Sequence, residues 1–190
     1  KVVSKICAFL VSFILTFTIR DQFRDIVIPY PRVLHKELKG NQHKGIDLLG
    51  YIDTQNGHIL LIIEIMASVD DNYPASTVRD HLKQLLDDTL KGDNERLIKE
   101  LEYIHDEADA EYKDVINGFL VAIIGRQFNN KDDVLAVPVM VRPVNKWNND
   151  DWKPFLTNTE EFEKASIPST VCYYAIECSE LLNRIKSGAV

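Results

Sequence analysis

The chain has 190 residues, of which 45% are hydrophobic and 27% charged, with a formal net charge of -7. That is one domain's length with enough apolar material for a sizeable core, and it excludes a protein that is basic all over. The charge is unevenly laid out: residues 1–46 carry eight Lys/Arg against three Asp/Glu, and the remainder 14 against 26. Either a local basic surface on an acidic body follows, able to meet a polyanion, or solvated faces that merely segregate. Three cysteines (Cys7, Cys172, Cys178) lack CxxC spacing, which favours a reduced, intracellular compartment, read as cytoplasmic, with the thiols as small core residues.

In chain order, residues 1 to about 24 are expected as a helix, apolar nearly all round and packed between layers. Lys1 and Lys5 before the run Ile6–Leu15 imitate a secretory signal, but no A-x-A-like cleavage site follows and the run is short for a bilayer. No membrane association is expected. There is no initiator Met, so a segment cut from a longer protein is also among the expectations. Residues 26–34, interrupted by Pro29 and Pro31, read as an extended edge segment.

Asp47 to Asp53 and Ile59 to Met66 are predicted strands, joined by a turn at Thr54-Gln55-Asn56-Gly57. The second is apolar at consecutive positions, as a central strand covered on both faces would be. A helix is expected from about Pro74 to Leu90, stopped by Gly92, with Arg79, Lys83 and Asp87 on a stripe beside its inner face. Asp93 would cap the next helix, where Leu97, Ile98, Leu101 and Ile104 recur at helical spacing and which frays at 106–109. Strands are expected over 118–124 and 134–141, a polar loop over 145–160, a strand over 171–177 and a short helix over 179–186. The order is that of a single α/β layer domain spanning 1–190 around a mixed sheet, with a core at 1–142 and a C-terminal loop, strand and helix at 143–190.

Two acids stand out in this frame. Asp47 opens the first strand of the hairpin, and Glu64 lies inside the run Ile59–Ala67. A buried carboxylate must be protonated, paired or metal-bound, because leaving it charged and alone costs roughly several kcal/mol. Strand alternation puts Glu64 and Met66 on one face, with Ile63 and Ile65 on the other. Paired as a hairpin, the strands bring Asp47 to the sheet end occupied by Glu64. Two carboxylates converging there are hard ligands suited to Mg²⁺ or Mn²⁺. The alternative is that Asp47 caps a turn while Glu64 pairs with Lys83 or Arg79 from the following helix.

An acid, a hairpin and a glutamate on a central strand followed by a helix resemble the PD-(D/E)XK nuclease core, a restriction-endonuclease-like α/β arrangement. More narrowly, Gly45-Ile46-Asp47-Leu48-Leu49-Gly50-Tyr51 with Glu64-Ile65-Met66-Ala67-Ser68 is similar to the nuclease subunit (HamA) family of the Hachiman anti-phage system and its C-terminal domain relatives. That pattern is G-x-D-L-x-G-[YF] followed by E-[VI]-K-x-[ST]. The likeness is concentrated in residues 43–90. It departs at one position: the lysine two residues after the glutamate falls at Met66, whose thioether carries no charge.

The resemblance implies a metal-dependent nuclease in bacterial defence, acting on nucleic acid (DNA ahead of RNA) beside a helicase partner. Asp47 and Glu64 would hold Mg²⁺ or Mn²⁺, with the main-chain oxygen of Ile65 as a third ligand. Lys83, Lys44 or Arg79 would replace the lost lysine, and Asp21 or Glu37 would join the metal shell. Lys36, Lys39, His43, Lys44 and Arg79 would contact phosphates, a contribution that weakens with salt. The other outcome of Met66 is a degenerate nuclease fold that binds nucleic acid or a partner without cutting.

Asp106-Glu107-Ala108-Asp109 spells the helicase DEAD string, but no GxxxxGK[ST] loop accompanies it, so an acidic helix end is the reading. His105 lacks metalloprotease spacing, Asp70-Asp71-Asn72 lacks the rest of a calcium loop, and Trp147 and Trp152 read as packing residues of a polar loop.

Overall fold

The computed structural model describes residues 25–30, 46–67, 76–91, 94–128, 130–142, 153, 159–171 and 174–177. A short edge strand β1 (Ile26–Val27) pairs antiparallel with β2 (Leu48–Thr54), which pairs antiparallel with the long strand β3 (Gly57–Ala67). Three helices follow: α1 (Ser76–Leu90), α2 (Glu95–Glu107) and α3 (Ala110–Ile124). A 3-10 turn, Lys131–Asp133, leads into β4 (Val134–Arg142), which lies parallel to β3. A short helix α4 (Thr159–Glu163) precedes β5 (Thr170–Val171) and β6 (Tyr174–Glu177), both parallel to β4 on its far side. The fold is α/β, a central mixed sheet flanked by helices, in keeping with a restriction-endonuclease-like core.

The hairpin forms where its sequence demands. Thr54 Oγ1 donates to the Gly57 carbonyl at 2.8 Å and accepts from the Asn56 N–H at 3.2 Å, while Gly57 takes φ 128°, a conformation open to glycine and few others. Register then runs without slippage from Thr54↔Gly57 to Leu48↔Ile63. Gly50 has a different cause. A Cβ there would stand 2.4 Å from the carbonyl oxygen of Val27, so the glycine admits the edge strand β1.

β3 is central, between β2 and β4, and both of its faces are buried. Leu60 and Ile62 join Leu49 and Tyr51 of β2 and Val134, Ala136 and Met140 of β4 in the principal core. Leu86 and Leu90 of α1, Leu97, Leu101 and Ile104 of α2, and Ile116, Phe119 and Ile123 of α3 complete that core. The opposite parity, with Leu48, Leu61, Ile63, Ile65, Val137, Val139 and Val141, is also shielded from water. Apolar side chains at consecutive positions are what two covered faces require.

The expected strand over 118–124 is the second half of α3. Gly-Phe-Leu-Val-Ala-Ile-Ile is rich enough in β-formers to suit a strand, yet Val115, Ile116, Phe119 and Ile123 recur at helical spacing through it. Packing of that stripe on α2 outweighs the mid-helix glycine, Gly118, which costs only about 1 kcal/mol relative to alanine. The cap of α2 also shifts. The N-cap is Asn94, in the left-handed region at φ 59°, in place of Asp93. Its carbonyl accepts the Ile98 N–H, and its Oδ1 accepts the Ser166 hydroxyl at 3.1 Å. α4 begins inside the stretch expected as loop. Asp106, Glu107 and Asp109 are exposed around the α2–α3 junction, the acidic helix end the sequence implied. The helices expected over 1–24 and 179–186, and both tryptophans, lie outside the described residues. Among the described residues no helix is long and apolar enough to cross a membrane.

Candidate active site

Extending the Leu48↔Ile63 register by one step sets residue 47 opposite residue 64, and the hydrogen bonds agree. The Asp47 carboxylate Oδ2 accepts the backbone N–H of Ile65 at 2.8 Å, and a backbone hydrogen bond from Asp47 reaches the Glu64 carboxylate. Each acid is thus tied to the main chain of the other strand. Because β3 and β4 run parallel, the pair sits toward their C-terminal ends, where open α/β sheets present ligand sites. Pro138 lies beside Glu64 on β4 and has no N–H to give, so the ladder loses a donor at the level of the site.

Glu64 shares its face of β3 with Leu60, Ile62 and Met66, the face covered by the helices, and is 1% exposed. The cation that meets it comes from α2: Nη2 of Arg96 lies 2.7 Å from Oε1. The approach is close in distance but poor in angle for a linear hydrogen bond, so charge attraction rather than directed bonding holds that oxygen. The guanidinium is directed elsewhere. Its Nη1 donates to the Leu85 carbonyl at 2.8 Å and to Thr89 Oγ1 at 2.7 Å, both on α1.

These surroundings move the Glu64 carboxyl well above the usual range, to about 8. Burial is the largest cause and the charge of Asp47 the next; the attraction of Arg96 and the backbone hydrogen bond from Asp47 offset only part of them. The influence of Asp47 on Glu64 shows that the two carboxylates lie within one electrostatic neighbourhood.

The sequence-predicted residues divide accordingly. Asp47, Glu64 and Ile65 come together. Lys83 is drawn off: its ammonium bonds Asp87 at 2.8 Å and Glu161 at 3.2 Å, and lies 5.7 Å from the centre of the Phe162 ring. Desolvation works against the Lys83 charge, but its bonds to Asp87 and Glu161 outweigh it and raise the pKa. The partner of Glu64 is therefore Arg96 in place of Lys83 or Arg79. Arg79 belongs to α1 by its backbone, and its side chain lies outside the described residues, as do Asp21, Lys36, Glu37, Lys39, His43 and Lys44 altogether. Met66 is half-buried against the core on the Glu64 face, a packing residue there.

As the residues stand, they do not fit a divalent ion. One oxygen of Glu64 faces a guanidinium, its carboxyl binds a proton easily, and Asp47 Oδ2 serves a backbone amide. No group of three or more His, Cys, Asp or Glu side chains suited to a metal occurs among the described residues. No family model matches the chain, and no curated protein is significantly similar to it.

Proposed function

We propose that this chain is a PD-(D/E)XK-type nuclease domain of a bacterial anti-phage system, akin to the Hachiman nuclease subunit, acting on nucleic acid in the cytoplasm beside a helicase partner. The observation that carries the reading is the convergence of Asp47 and Glu64, from neighbouring strands, at the C-terminal end of the parallel pair β3 and β4. Structural sheets rarely place a second carboxylate next to a buried one, because each raises the other's charging cost. Sites that handle phosphodiesters with Mg²⁺ or Mn²⁺ do so routinely. Wild type should cleave DNA or RNA when Mg²⁺ or Mn²⁺ is supplied, and Glu64→Ala should not.

A second reading has its own support: a nuclease fold that binds nucleic acid or a partner and does not cut. Met66 supplies no charge where the motif has lysine, and Arg96 already faces the glutamate. Absence of cleavage by wild type with either ion, with and without the helicase, and with nucleic-acid binding retained, would select this second reading.

A further inference from the structure

Arg96 is a permanent charge in a place with almost no water. A guanidinium does not release its proton in proteins, so its +1 charge stays with the site at every working pH. It is also built in. Thr89, fully buried, donates to the Leu85 carbonyl at 2.8 Å and accepts from Arg96, so three groups of α1 and α2 fix one side of the guanidinium. The other side faces Oε1 of Glu64 at 2.7 Å. A divalent ion on that oxygen would stand roughly 2.0–2.2 Å away, and two cations cannot share so small a space. Met66, on the same face two residues on, competes with neither.

We infer that Arg96 is the resident cation of the Asp47–Glu64 site, and that a divalent ion reaches these carboxylates only by displacing its guanidinium. The inference rests on the nuclease-type reading and deepens it, making Arg96 the residue that sets how readily the site accepts an ion. It also couples the site to the helix layer. The bonds from Nη1 to Leu85 and Thr89 offer the displaced guanidinium a second anchorage on α1, so Arg96 can swing from the glutamate without being left unbonded.

The test is Mn²⁺ binding to the full chain, measured by calorimetry on wild type, Arg96→Gln, Glu64→Gln and the Arg96→Gln/Glu64→Gln double variant. Arg96→Gln should bind Mn²⁺ about tenfold tighter than wild type or better, and the double variant should lose the gain. Equal affinity in wild type and Arg96→Gln, abolished in both by Glu64→Gln, would overturn the displacement and leave the ion-binding reading standing. No binding by a folded Arg96→Gln would overturn both. Should Arg96→Gln not fold, wild type carries the test: the Nε–Hε resonance of Arg96 should shift as Mg²⁺ is added. A resonance that stays put while the carboxyl signal of Glu64 moves would refute displacement.

Discussion

At the Glu64 end of the sheet, one guanidinium meets one carboxylate out of water. At the junction of α1 with α4, two ammoniums, Lys83 and Lys91, share Asp87 and Glu161 half in water, above the buried ring of Phe162. On paper both are opposite-charge clusters at the edge of the same helix. They differ in what surrounds them. Around Glu64, desolvation overrides the neighbouring arginine and drives the carboxyl pKa up to about 8. Around Lys83, with its side chain 21% exposed, desolvation is present but loses to the hydrogen bonds, and the charge is favoured. Burial decides whether a salt bridge holds a structure together or holds a group in tension.

The contrast breaks most readily at Arg96. Arg96→Ala should destabilise the protein by about 3–5 kcal/mol in urea denaturation at neutral pH, the usual cost of removing one partner from a buried pair. A cost near zero would put Glu64 and Arg96 in the same class as the lysine cluster. Next comes pH. The folded Glu64 carboxyl at about 8 lies above its ordinary 4.5, so the native state holds a proton that the unfolded chain releases between those values. The stability Glu64 contributes is complete below about 4.5 and is lost as pH rises through about 8. Glu64→Gln, which keeps the shape without the charge, should match wild type near pH 5 and exceed it at pH 9 by a few kcal/mol at most, roughly, read as a difference in urea midpoint.

Thr89→Val, nearly equal in volume, removes the hydroxyl that receives Arg96 and should cost about 1–2 kcal/mol. Its effect should shrink in an Arg96→Ala background, which a double-mutant cycle would show. The smallest effect belongs to the open cluster: Lys83→Ala should cost less than about 1 kcal/mol, because Glu161 is exposed and Lys91 remains to serve both acids. A loss of several kcal/mol there would erase the distinction between the two regions.

Much of the sheet was legible because its signals are local. Asn56-Gly57 announces a hairpin, and the run Ile59–Met66 can only be a strand covered twice, so the neighbourhood of Asp47 and Glu64 followed from counting residues across the turn. α3 was misread for a physical reason. Seven apolar residues of mixed β-branched and aromatic type suit either state, and the decision lies in contacts with α2 that no window on the sequence contains. Arg96 was missed likewise, since its role depends on how α2 lies against α1 and β3. A weak signal existed: Arg96, Glu100 and Ile104 recur at i, i+4 and i+8 along the inner side of α2, where two polar residues in line with a core position hint at a buried partner. Gly50 reads as a motif residue in the sequence and as room for β1 in the fold.

The claim beneath the account is that Asp47 and Glu64 form one electrostatic unit out of reach of water. Carboxyl-carbon NMR titration of Glu64, in wild type and in Asp47→Asn, tests it directly. The account predicts a midpoint near 8 in wild type and a lower one once the charge at position 47 is gone. A midpoint at the ordinary glutamate value in wild type, unmoved by Asp47→Asn, would contradict it.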